Sequence, residues 1–385
     1  MTITVPRSTD LMPTLKVITE AREFEALEAD WRRIYEECGA SNPFLSYEWL
    51  TAWWRHFGEG KQLSVVVVEL NGDTVAIAPL MRVKSAGITK LQFLGKPISD
   101  YSDFLIGKEG EHCVGPLVQF IQREMQWDAV ELRGITNDSP NLCVLQDAWP
   151  TTSGLNRWHV WTVAPYLRLD SNWSEYHDSL KKGLRADNRR QIRRLEQQGE
   201  LSFREYDALS EVLQLFHRLT DQKSQRFLAT GAVDPLKDGR ILAFYKDVVS
   251  RLWQSGHIHV STLNIGDHPI AVHFGFICGQ RYFYYLPSFD SNFSNFSPGR
   301  LLLFNLIRNS FHQGLREFDF LNGPEAYKYD WTIEEHQVYE LIAFRRTPRG
   351  IGIYAAYKAR QRARSSVLIR KGVRWVRKHA RTSNR

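Results

Sequence analysis

Cysteine is scarce in this chain, and its few copies lie far apart. The 385 residues include four cysteines, none in a Cys-x-x-Cys pair: Cys38, Cys113, Cys143 and Cys278. This spacing excludes a zinc knuckle and a disulfide framework, and it favours a reducing compartment. His257 and His259 share one face of a predicted strand, but no Asp, Glu or Cys stands at metal-ligand spacing, so we predict no metal.

Long apolar runs are also missing. The first ten residues, M-T-I-T-V-P-R-S-T-D, lack the apolar core of a signal peptide. The strongest apolar run, L-S-V-V-V-V-E-L, is far too short to cross a bilayer. We therefore expect a soluble, cytoplasmic protein.

Acidic residues are absent from the end of the chain. Residues 341–385 carry fourteen Lys and Arg and no Asp or Glu, which leaves 36 bases against 43 acids elsewhere. The body is thus mildly acidic, and no nucleic-acid-binding motif is visible, so we expect no sequence-specific DNA binding. Ile369, Val373 and Val376 share a helical face beside Trp375. This pattern suits a helix on the anionic inner face of a membrane, although a solvated tail remains open.

The sequence repeats one plan in its two halves. Residues 65–80 and 259–274 each read as a strand, a Gly-Asp hairpin turn and a second strand. A helix opened at Gly115-Pro116 or Pro298-Gly299 follows, and then a short strand with a nearby glycine. The same order over roughly sixty residues indicates an internal duplication.

The duplication predicts a mixed α/β fold with two tandem domains. We place them at residues 14–165 and 166–347, followed by a basic helical tail at 348–385. The predicted helices are Phe24–Cys38, Tyr47–Phe57, Trp173–Gln198, Leu209–Leu228 and Ile241–Gln254.

Ser297-Pro298-Gly299-Arg300 begins a predicted helix that directly follows a strand. Helix N-termini expose unpaired amides and a positive dipole end, which together attract anions. Glycine lets a ligand approach the backbone, and arginine offers a forked cation for phosphate. The pattern suits a pyrophosphate, while a plain helix start remains the alternative.

A second informative stretch is F-D-F-L-N-G-P-E-A-Y-K-Y-D-W, residues 318–331. A short strand ends at Asn322-Gly323-Pro324, and an acid, phenols and an amine follow closely. Loops after strands commonly carry function, although these bulky groups could also cap a core.

Five stretches carry a family resemblance: N-P-F-L-S-Y-E-W-L-T-A-W-W, S-D-Y-S-D-F, S-L-K-K-G-L-R-A-D-N-R-R-Q-I-R-R-L-E, S-P-G-R-L-L and F-D-F-L-N-G-P-E-A-Y-K. They resemble the GNAT-superfamily acyltransferases of the CelD-like type, found in bacterial cellulose and exopolysaccharide clusters. The tandem plan is also similar to the FemAB-type peptidoglycan aminoacyltransferases, which carry twin GNAT-like domains. The resemblance is specific for the family and weak for the substrate.

The resemblance implies tandem GNAT-like domains and transfer of an acyl group from acyl-CoA, such as acetyl-CoA, to an amine or hydroxyl. The CoA pyrophosphate would be held by a strand–turn–helix element comprising Ser297, Pro298, Gly299, Arg300 and Leu301. The usual signature is richer in glycine. The first domain lacks a basic residue after Gly115-Pro116 and resembles a degenerate copy that shapes the cleft.

Direct attack on a thioester needs a base for the acceptor and a proton for the leaving thiolate. The absence of a Ser-His-Asp order or a reactive-cysteine signature fits that route. The candidate catalytic residues are Glu325, Tyr327, Asp290 and His273. Glu325 is the first choice as base because it follows the Gly-Pro turn. A structural role for His273 stays open, and Asp319 is interpreted as a structural carboxylate that bonds to backbone.

The candidate substrate-binding residues are Asp100, Tyr101, Asp103, Tyr285, Lys328 and Trp331. The first three are predicted to face the acyl-transfer cleft, or else to form a solvated turn. Tyr285 is an alternative proton donor for the thiolate, and Lys328 either binds an anion or pairs with Glu325. The family context implies a small or saccharide-linked acceptor in cell-envelope or exopolysaccharide metabolism.

Seven bases lie between Lys181 and Arg194 on a predicted amphipathic helix. The helix either presents a solvated basic face or attracts a polyanion such as CoA, tRNA or a lipid head group. Two alternatives to the CoA-dependent enzyme therefore remain: a FemAB-like transferase that uses aminoacyl-tRNA, and a non-catalytic regulatory or assembly protein on the same fold.

Overall fold

A computed structural model describes residues 13–39, 42–151, 154–231 and 234–363 of the chain. The first half contains nine strands and five helices within these residues. They are β1 Thr14–Ile18, α1 Ala21–Ala26, α2 Glu28–Glu37, α3 Tyr47–Phe57, β2 Lys61–Leu63, β3 Val65–Leu70, β4 Asp73–Ala78, β5 Leu80–Ser85, β6 Ile88–Phe93, β7 Leu105–Ile106, α4 Val114–Arg123, β8 Ala129–Thr136, α5 Leu142–Ala148 and β9 Asn156–Arg168.

The second half supplies the remaining described elements. They are α6 Trp173–Ser179, α7 Lys182–Glu196, β10 Leu201–Glu205, α8 Leu209–Thr230, α9 Gly239–Leu252, β11 Ile258–Ile265, β12 His268–Cys278, β13 Arg281–Phe289, α10 Pro298–His312, β14 Glu317–Asp319, β15 Glu335–Phe344 and helix α11 over 348–363.

Both predicted hairpins are confirmed. β3 pairs antiparallel with β4, and β11 pairs antiparallel with β12. The first turn places Asn71 and Gly72 at φ 55° and 91°, the left-handed conformation that a tight hairpin turn requires. Each hairpin is followed by a helix, α4 or α10, and then by a strand, β8 or β14, as the duplication predicts.

Helix α3 begins where the sequence predicts, because Ser46 caps it by accepting a hydrogen bond from the Trp49 amide at 3.3 Å. The single helix predicted over Trp173–Gln198 is wrong in one respect, since it is two helices. Leu180 lies between α6 and α7 with an extended backbone, φ −62° and ψ 146°. Its buried side chain joins the core under β12, and the helix restarts after it.

The strands form two sheets. One has the order β1-β3-β4-β7, and the other has the order β10-β11-β12-β13-β14-β9-β15-β8-β6-β5-β2. Strand β15 lies between β9 and β8, so the last strand of the second half also completes the sheet of the first. Strand β9 runs across the predicted domain boundary at residue 165, and that boundary stays a prediction.

An aromatic core joins the halves. Trp49 of α3 contacts Phe244 of α9 with ring centroids 5.0 Å apart, and Phe44 lies 6.0 Å from Phe276 of β12. These rings are almost fully buried, and large buried aromatics contribute strongly to packing. The two halves therefore share one buried core in the described structure.

The described part of the tail is helical and packs on β15. Phe344 contacts Tyr354 and Tyr357 of α11, and Arg349 bonds Asp128 at 2.7 Å. The predicted membrane-facing residues Ile369, Val373, Trp375 and Val376 lie outside the described residues. No helix within the described residues has both the length and the apolar character needed to cross a bilayer.

Candidate active site

The parallel strands β13 and β14 pair over three residues and then separate. The last pair is Phe283 with Asp319, after which β13 continues to Phe289. The segment that follows β14 turns toward β9. There the Phe320 amide donates to the Pro165 carbonyl at 3.0 Å, and the Gly323 amide donates to the Val163 carbonyl at 2.9 Å. A gap therefore opens between the end of β13 and the loop after β14.

Lys328 holds that loop in place. Its ammonium donates to the carbonyls of Leu321, Asn322 and Gly323 at 2.9, 3.0 and 3.0 Å, and only 3% of its side chain is exposed. Leu321 and Gly323 have φ of 62° and 110°, so the loop has a left-handed backbone that needs such support. Lys328 also pairs with Glu325 at 2.8 Å, so its position favours loop structure over substrate binding.

Glu325 and Tyr327 lie on the solvent side of the same loop. The carboxylate of Glu325 folds over Gly323, where a Cβ atom would lie 2.6 Å from Oε1. The Glu325 side chain is 55% exposed, and Tyr327 is 43% exposed. Both groups are thus accessible to a substrate that enters the gap.

The helix α10 begins beside the end of β13, but the strand does not run directly into it. A 3₁₀ turn over Ser291–Phe296 intervenes, and Ser297 then adopts φ 54° and ψ 48°. This corrects the direct strand-to-helix connection expected from the sequence. A Cβ atom at Gly299 would approach only Phe289, at 3.4 Å, so Gly299 faces the strand end.

The N-terminus of α10 offers limited backbone donors. Pro298 has no N–H, and the Arg300 and Leu301 amides donate to the Ser297 carbonyl at 3.1 and 3.2 Å. Among the described residues, no acceptor bonds the Gly299 amide. The Leu301 side chain lies in the core with 1% exposure, so its predicted cofactor role has no geometric support.

Arg300 turns toward α7. Its guanidinium is ion-paired with Asp187, which also pairs with Arg190. Arg300 Nε is buried and has no partner in the described structure. The guanidinium is therefore close to the helix N-terminus but already engaged.

The arginine face of α7 lies beside the N-terminus of α10. The Arg194 guanidinium lies 4.6 Å from the Phe296 ring centroid and donates to the Asn295 carbonyl at 3.2 Å. Arg189, Arg190, Arg193 and Arg194 are exposed and lie together on one side of α7. The basic helix that the sequence singles out is thus next to the predicted pyrophosphate site.

His273 and Asp290 lack the accessibility expected of a catalytic base. His273 is fully buried, stacks on Tyr284 at 4.5 Å and bonds the Tyr282 hydroxyl through Nδ1 at 3.1 Å. Burial holds its pKa well below the ordinary value. This geometry supports the structural alternative for His273.

Asp290 caps the 3₁₀ turn. It accepts the Asn292 amide at 3.0 Å and bonds His268 at 3.0 Å. Partial burial would raise its pKa, but the hydrogen bonds from His268 and the amide hold the pKa below the ordinary value. Such a carboxylate is a weak base.

Tyr285 lies on β13, and Trp331 follows the loop after β14. The Tyr285 hydroxyl bonds the Tyr245 hydroxyl at 2.9 Å, and burial holds the pKa of Tyr285 well above its ordinary value. Trp331 is 3% exposed and packs in the core, and its carbonyl accepts the Tyr176 hydroxyl at 2.9 Å. Tyr285 is the better placed of the two for a substrate contact.

The side chains of the acidic stretch in the first half have partners in different parts of the chain. Asp100 bonds Asn322 of the loop after β14, with its carbonyl 2.8 Å and its Oδ1 3.2 Å from Nδ2. Tyr101 donates to the buried Asp319 at 2.9 Å. Asp103 points elsewhere and accepts from Asn141 at 3.1 Å. Only Asp100 and Tyr101 therefore reach the second half.

Asp319 has the backbone bond that the sequence predicts, since it accepts the Leu321 amide at 2.7 Å. It is fully buried, and burial raises its pKa to about 7 although Arg281 acts in the opposite direction. Tyr101 and Arg281 are partners that the sequence did not indicate.

Two buried lysines near the site carry no signal in the sequence. Lys223 of α8 donates to the Pro287 carbonyl at 3.3 Å, and burial lowers its pKa to about 8. Lys96 donates to the Ser99 carbonyl at 2.7 Å and shares a cavity of about 230 Å³ with Asp100. Burial lowers the pKa of Lys96 and raises that of Asp100. No local motif marks either lysine, because their partners are distant or are backbone carbonyls.

The predicted strand histidines have protein partners. His259 bonds Glu205 at 2.6 Å and Tyr282 at 2.9 Å, and His257 bonds Ser255 at 3.0 Å. The described residues contain no group of three His, Cys, Asp or Glu side chains able to hold a metal ion.

Comparison with known proteins adds the following. Residues 182–329 match the profile of a family described as "Acetyltransferase (GNAT) domain". No curated protein matches the sequence. FemX superposes with a TM-score of 0.56 and 11% identity, over 85% of this chain and 96% of FemX. L-PGS from Bacillus licheniformis superposes with a TM-score of 0.52 and 11% sequence identity, over 87% of this chain and 96% of L-PGS. A tandem GNAT protein from the clavulanic acid biosynthesis pathway superposes with a TM-score of 0.44 and 9% sequence identity, over 86% of this chain and 98% of that protein.

FemX and L-PGS both cover most of this chain, so the similarity concerns the whole two-part fold. The family match places a GNAT-type acetyltransferase domain in the second half. The predicted mixed α/β fold is confirmed, and a GNAT-type domain lies in its second half. The CelD-like type stays a prediction.

Proposed function

We propose that the second half transfers an acyl group from acyl-CoA to an amine or hydroxyl acceptor. The observation that carries this proposal is the separation of β13 from β14 beside the N-terminus of α10. Where the strands separate, their unpaired backbone groups can hydrogen-bond the amides of the CoA arm, and a helix N-terminus nearby can bind the pyrophosphate. The family match over residues 182–329 spans all three elements.

The donor would enter with its phosphates at α10 and its thioester in the gap. The free Gly299 amide and the helix dipole attract the pyrophosphate, and the missing Cβ lets it approach. Arg300 would contribute its charge after leaving Asp187. Arg226 of α8, whose guanidinium lies 5.3 Å from the Phe289 ring centroid, adds positive charge at the end of β13.

Glu325 is the best placed general base. Its carboxylate is ion-paired with Lys328, but its side chain is 55% exposed on the loop that borders the gap, whereas His273 is fully buried and the Asp290 side chain is only 13% exposed. Tyr327 follows two residues later and would protonate the leaving thiolate. Lys328 acts by fixing the loop, because three backbone carbonyls occupy its ammonium.

The acceptor would enter between the halves, near Asp100 and Tyr285. We infer from the family context that it is a small or saccharide-linked molecule of cell-envelope or exopolysaccharide metabolism. The basic tail would then hold the enzyme at an anionic membrane surface.

Isothermal titration with acetyl-CoA and longer acyl-CoAs tests the donor. Gly299→Val and Arg300→Ala should each weaken binding about tenfold or more, since tenfold corresponds to about 1.4 kcal/mol. Gly115→Val at the start of α4 and Arg308→Ala on α10 are matched controls that should leave binding unchanged. No binding of any acyl-CoA would overturn the proposal.

The exposed arginine cluster on α7 favours a second candidate, an aminoacyl-tRNA-dependent transferase. Backbone phosphates bind arginine clusters with strong salt dependence. Arg189→Ala combined with Arg193→Ala should then abolish protection of tRNA from nuclease, while acetyl-CoA gives no heat of binding. Unprotected tRNA would exclude this candidate.

A non-catalytic regulatory or assembly role is the third candidate, and the limited backbone donors at α10 are what favour it. In that case Glu325→Gln and Arg300→Ala would both leave the cellular role of the protein intact.

A further inference from the structure

The first half contains its own diverging chain segments, and a cavity lies between them. The Ser102 amide donates to the Gly134 carbonyl at 3.0 Å, and the two chain segments then separate. Strand β7 continues one segment and pairs with β4, while β8, which carries Gly134, pairs with β15 and β6. The cavity between the segments measures about 530 Å³.

We propose that this cavity binds a small polar molecule through a protonated primary amine. The proposal is independent of acyl transfer in the second half. The two sites lie toward opposite ends of β13, because Arg281 at its start lines this cavity and Phe289 at its end faces Gly299.

Carboxylates dominate the charged lining of the cavity. They are Glu37, Asp103, Glu111 and Asp138, and the cations among the described lining residues are Lys108 and Arg281. Arg281 is itself engaged by Asp138 and Glu317, each at 2.8 Å. The interior is therefore electronegative, which favours a cation and disfavours the pyrophosphate of CoA.

The carboxylates at the cavity have fixed positions. Glu37 reaches the wall because Gly107 has no side chain, and a Cβ atom there would lie 2.6 Å from Glu37 Oε2. Arg33 holds the other carboxylate oxygen at 2.9 Å. Asp103 is anchored by the Phe104 amide at 2.7 Å, by Asn141 at 3.1 Å and by Ser139 at 2.5 Å.

Ser102 supplies an independent sign of a ligand. It lines the cavity, is 3% exposed, and its hydroxyl has no hydrogen-bond partner among the described residues. A buried hydroxyl without a partner is costly, and a bound polar molecule would satisfy it. An ammonium group has three donors and no acceptor, which suits carboxylates and a hydroxyl oxygen. The volume accommodates a molecule of sugar or amino-acid size.

Titration calorimetry of the full chain with glucosamine, lysine and spermidine tests the site, and glucose serves as the neutral analogue. For whichever amine binds, Glu111→Gln should lower the affinity about threefold to tenfold. This range is typical of removing one partly exposed charge. Glu109→Gln, an exposed neighbour outside the lining, is the matched control and should have no effect.

Val144→Arg is a second variant that places a cation at the half-exposed rim of the cavity. It should abolish amine binding and leave acetyl-CoA binding unchanged. The proposal is wrong if none of the three amines binds at millimolar concentration, or if glucose binds as well as glucosamine. It is also wrong if both Glu111→Gln and Val144→Arg bind the amine like the wild type.

Discussion

The guanidinium of Arg300 at the start of α10 is ion-paired with the carboxylate of Asp187 on α7. The hydrogen bond from Arg300 is the main reason that the pKa of Asp187 lies below its ordinary value. Arg190 shares the same carboxylate. A phosphate at the helix N-terminus would therefore compete with Asp187 for the cation it needs.

Replacing Asp187 should strengthen donor binding. In Asp187→Asn the side chain keeps its shape but loses its charge, so Arg300 is free to reach a phosphate. We expect acetyl-CoA to bind about three- to tenfold more tightly by calorimetry, the effect of removing a competing exposed charge.

Asp178→Asn is the control for this prediction, because Asp178 pairs with Arg185 at 2.8 Å and not with Arg300. The Asp178→Asn variant should bind acetyl-CoA with the same affinity as the wild type. An unchanged affinity in Asp187→Asn would show that Arg300 does not contact the donor.

Removing the proposed base should affect turnover rather than donor binding. Glu325→Gln retains the size of the side chain but has no basic carboxylate. We expect kcat to fall about a hundredfold or more, as is usual for loss of a general base, with the acetyl-CoA Kd unchanged. Release of free thiol from acetyl-CoA with a panel of amine acceptors measures kcat.

Glu334→Gln is the control for turnover, because Glu334 is also a half-exposed acid near β15 and pairs with Arg168 at 3.3 Å. Wild-type turnover in Glu325→Gln would assign the base to another group. Equal losses in both variants would point to a general effect of charge.

Local patterns were enough to predict the hairpins and α3. Asn71 and Gly72 adopt the left-handed conformation of the turn between β3 and β4, and Ser46 caps the helix that begins at the next residue. Each feature therefore depends on residues only a few positions apart. The same holds for Asp319, whose bond to the Leu321 amide follows from the local chain.

Partners distant in sequence could not be predicted in this way. Arg300 and Asp187 are 113 positions apart, and Tyr101 and Asp319 are 218 apart. The place of β15 between β9 and β8 likewise depends on the whole sheet. The side chains of Asp100, Tyr101 and Asp103 likewise bond to residues far away in the sequence, namely Asn322, Asp319 and Asn141.

The buried carboxylate of Asp319 should make stability depend on pH. Its folded pKa is raised to about 7, so the folded protein holds this proton more tightly than the unfolded chain does. The resulting stabilisation is complete below the unfolded pKa and is lost as the pH rises through the folded pKa. The Asp319→Asn variant has no titratable group at this position, so it lacks this pH-dependent contribution to stability.

We therefore expect Asp319→Asn to gain stability relative to the wild type as the pH rises. Between roughly pH 5 and pH 8 the difference in unfolding free energy should change by about 2.5 kcal/mol. Urea unfolding at several pH values measures it. Asp267→Asn, whose side chain is 98% exposed, should show no such trend. A pH-independent difference for Asp319→Asn would mean that Asp319 is ionised throughout this range.

Lys328 should contribute more to stability than its single ion pair suggests. In Lys328→Met the aliphatic length is kept, but the carbonyls of Leu321, Asn322 and Gly323 lose their shared donor in a buried place. We expect a loss of about 3 kcal/mol in unfolding free energy, because buried groups left without partners are costly. Urea unfolding measures this loss. Lys181→Met removes a pair with Asp330 whose lysine is 71% exposed, and it should cost at most about 1 kcal/mol. Similar small losses in both variants would show that water replaces the ammonium and that the loop keeps its shape without it.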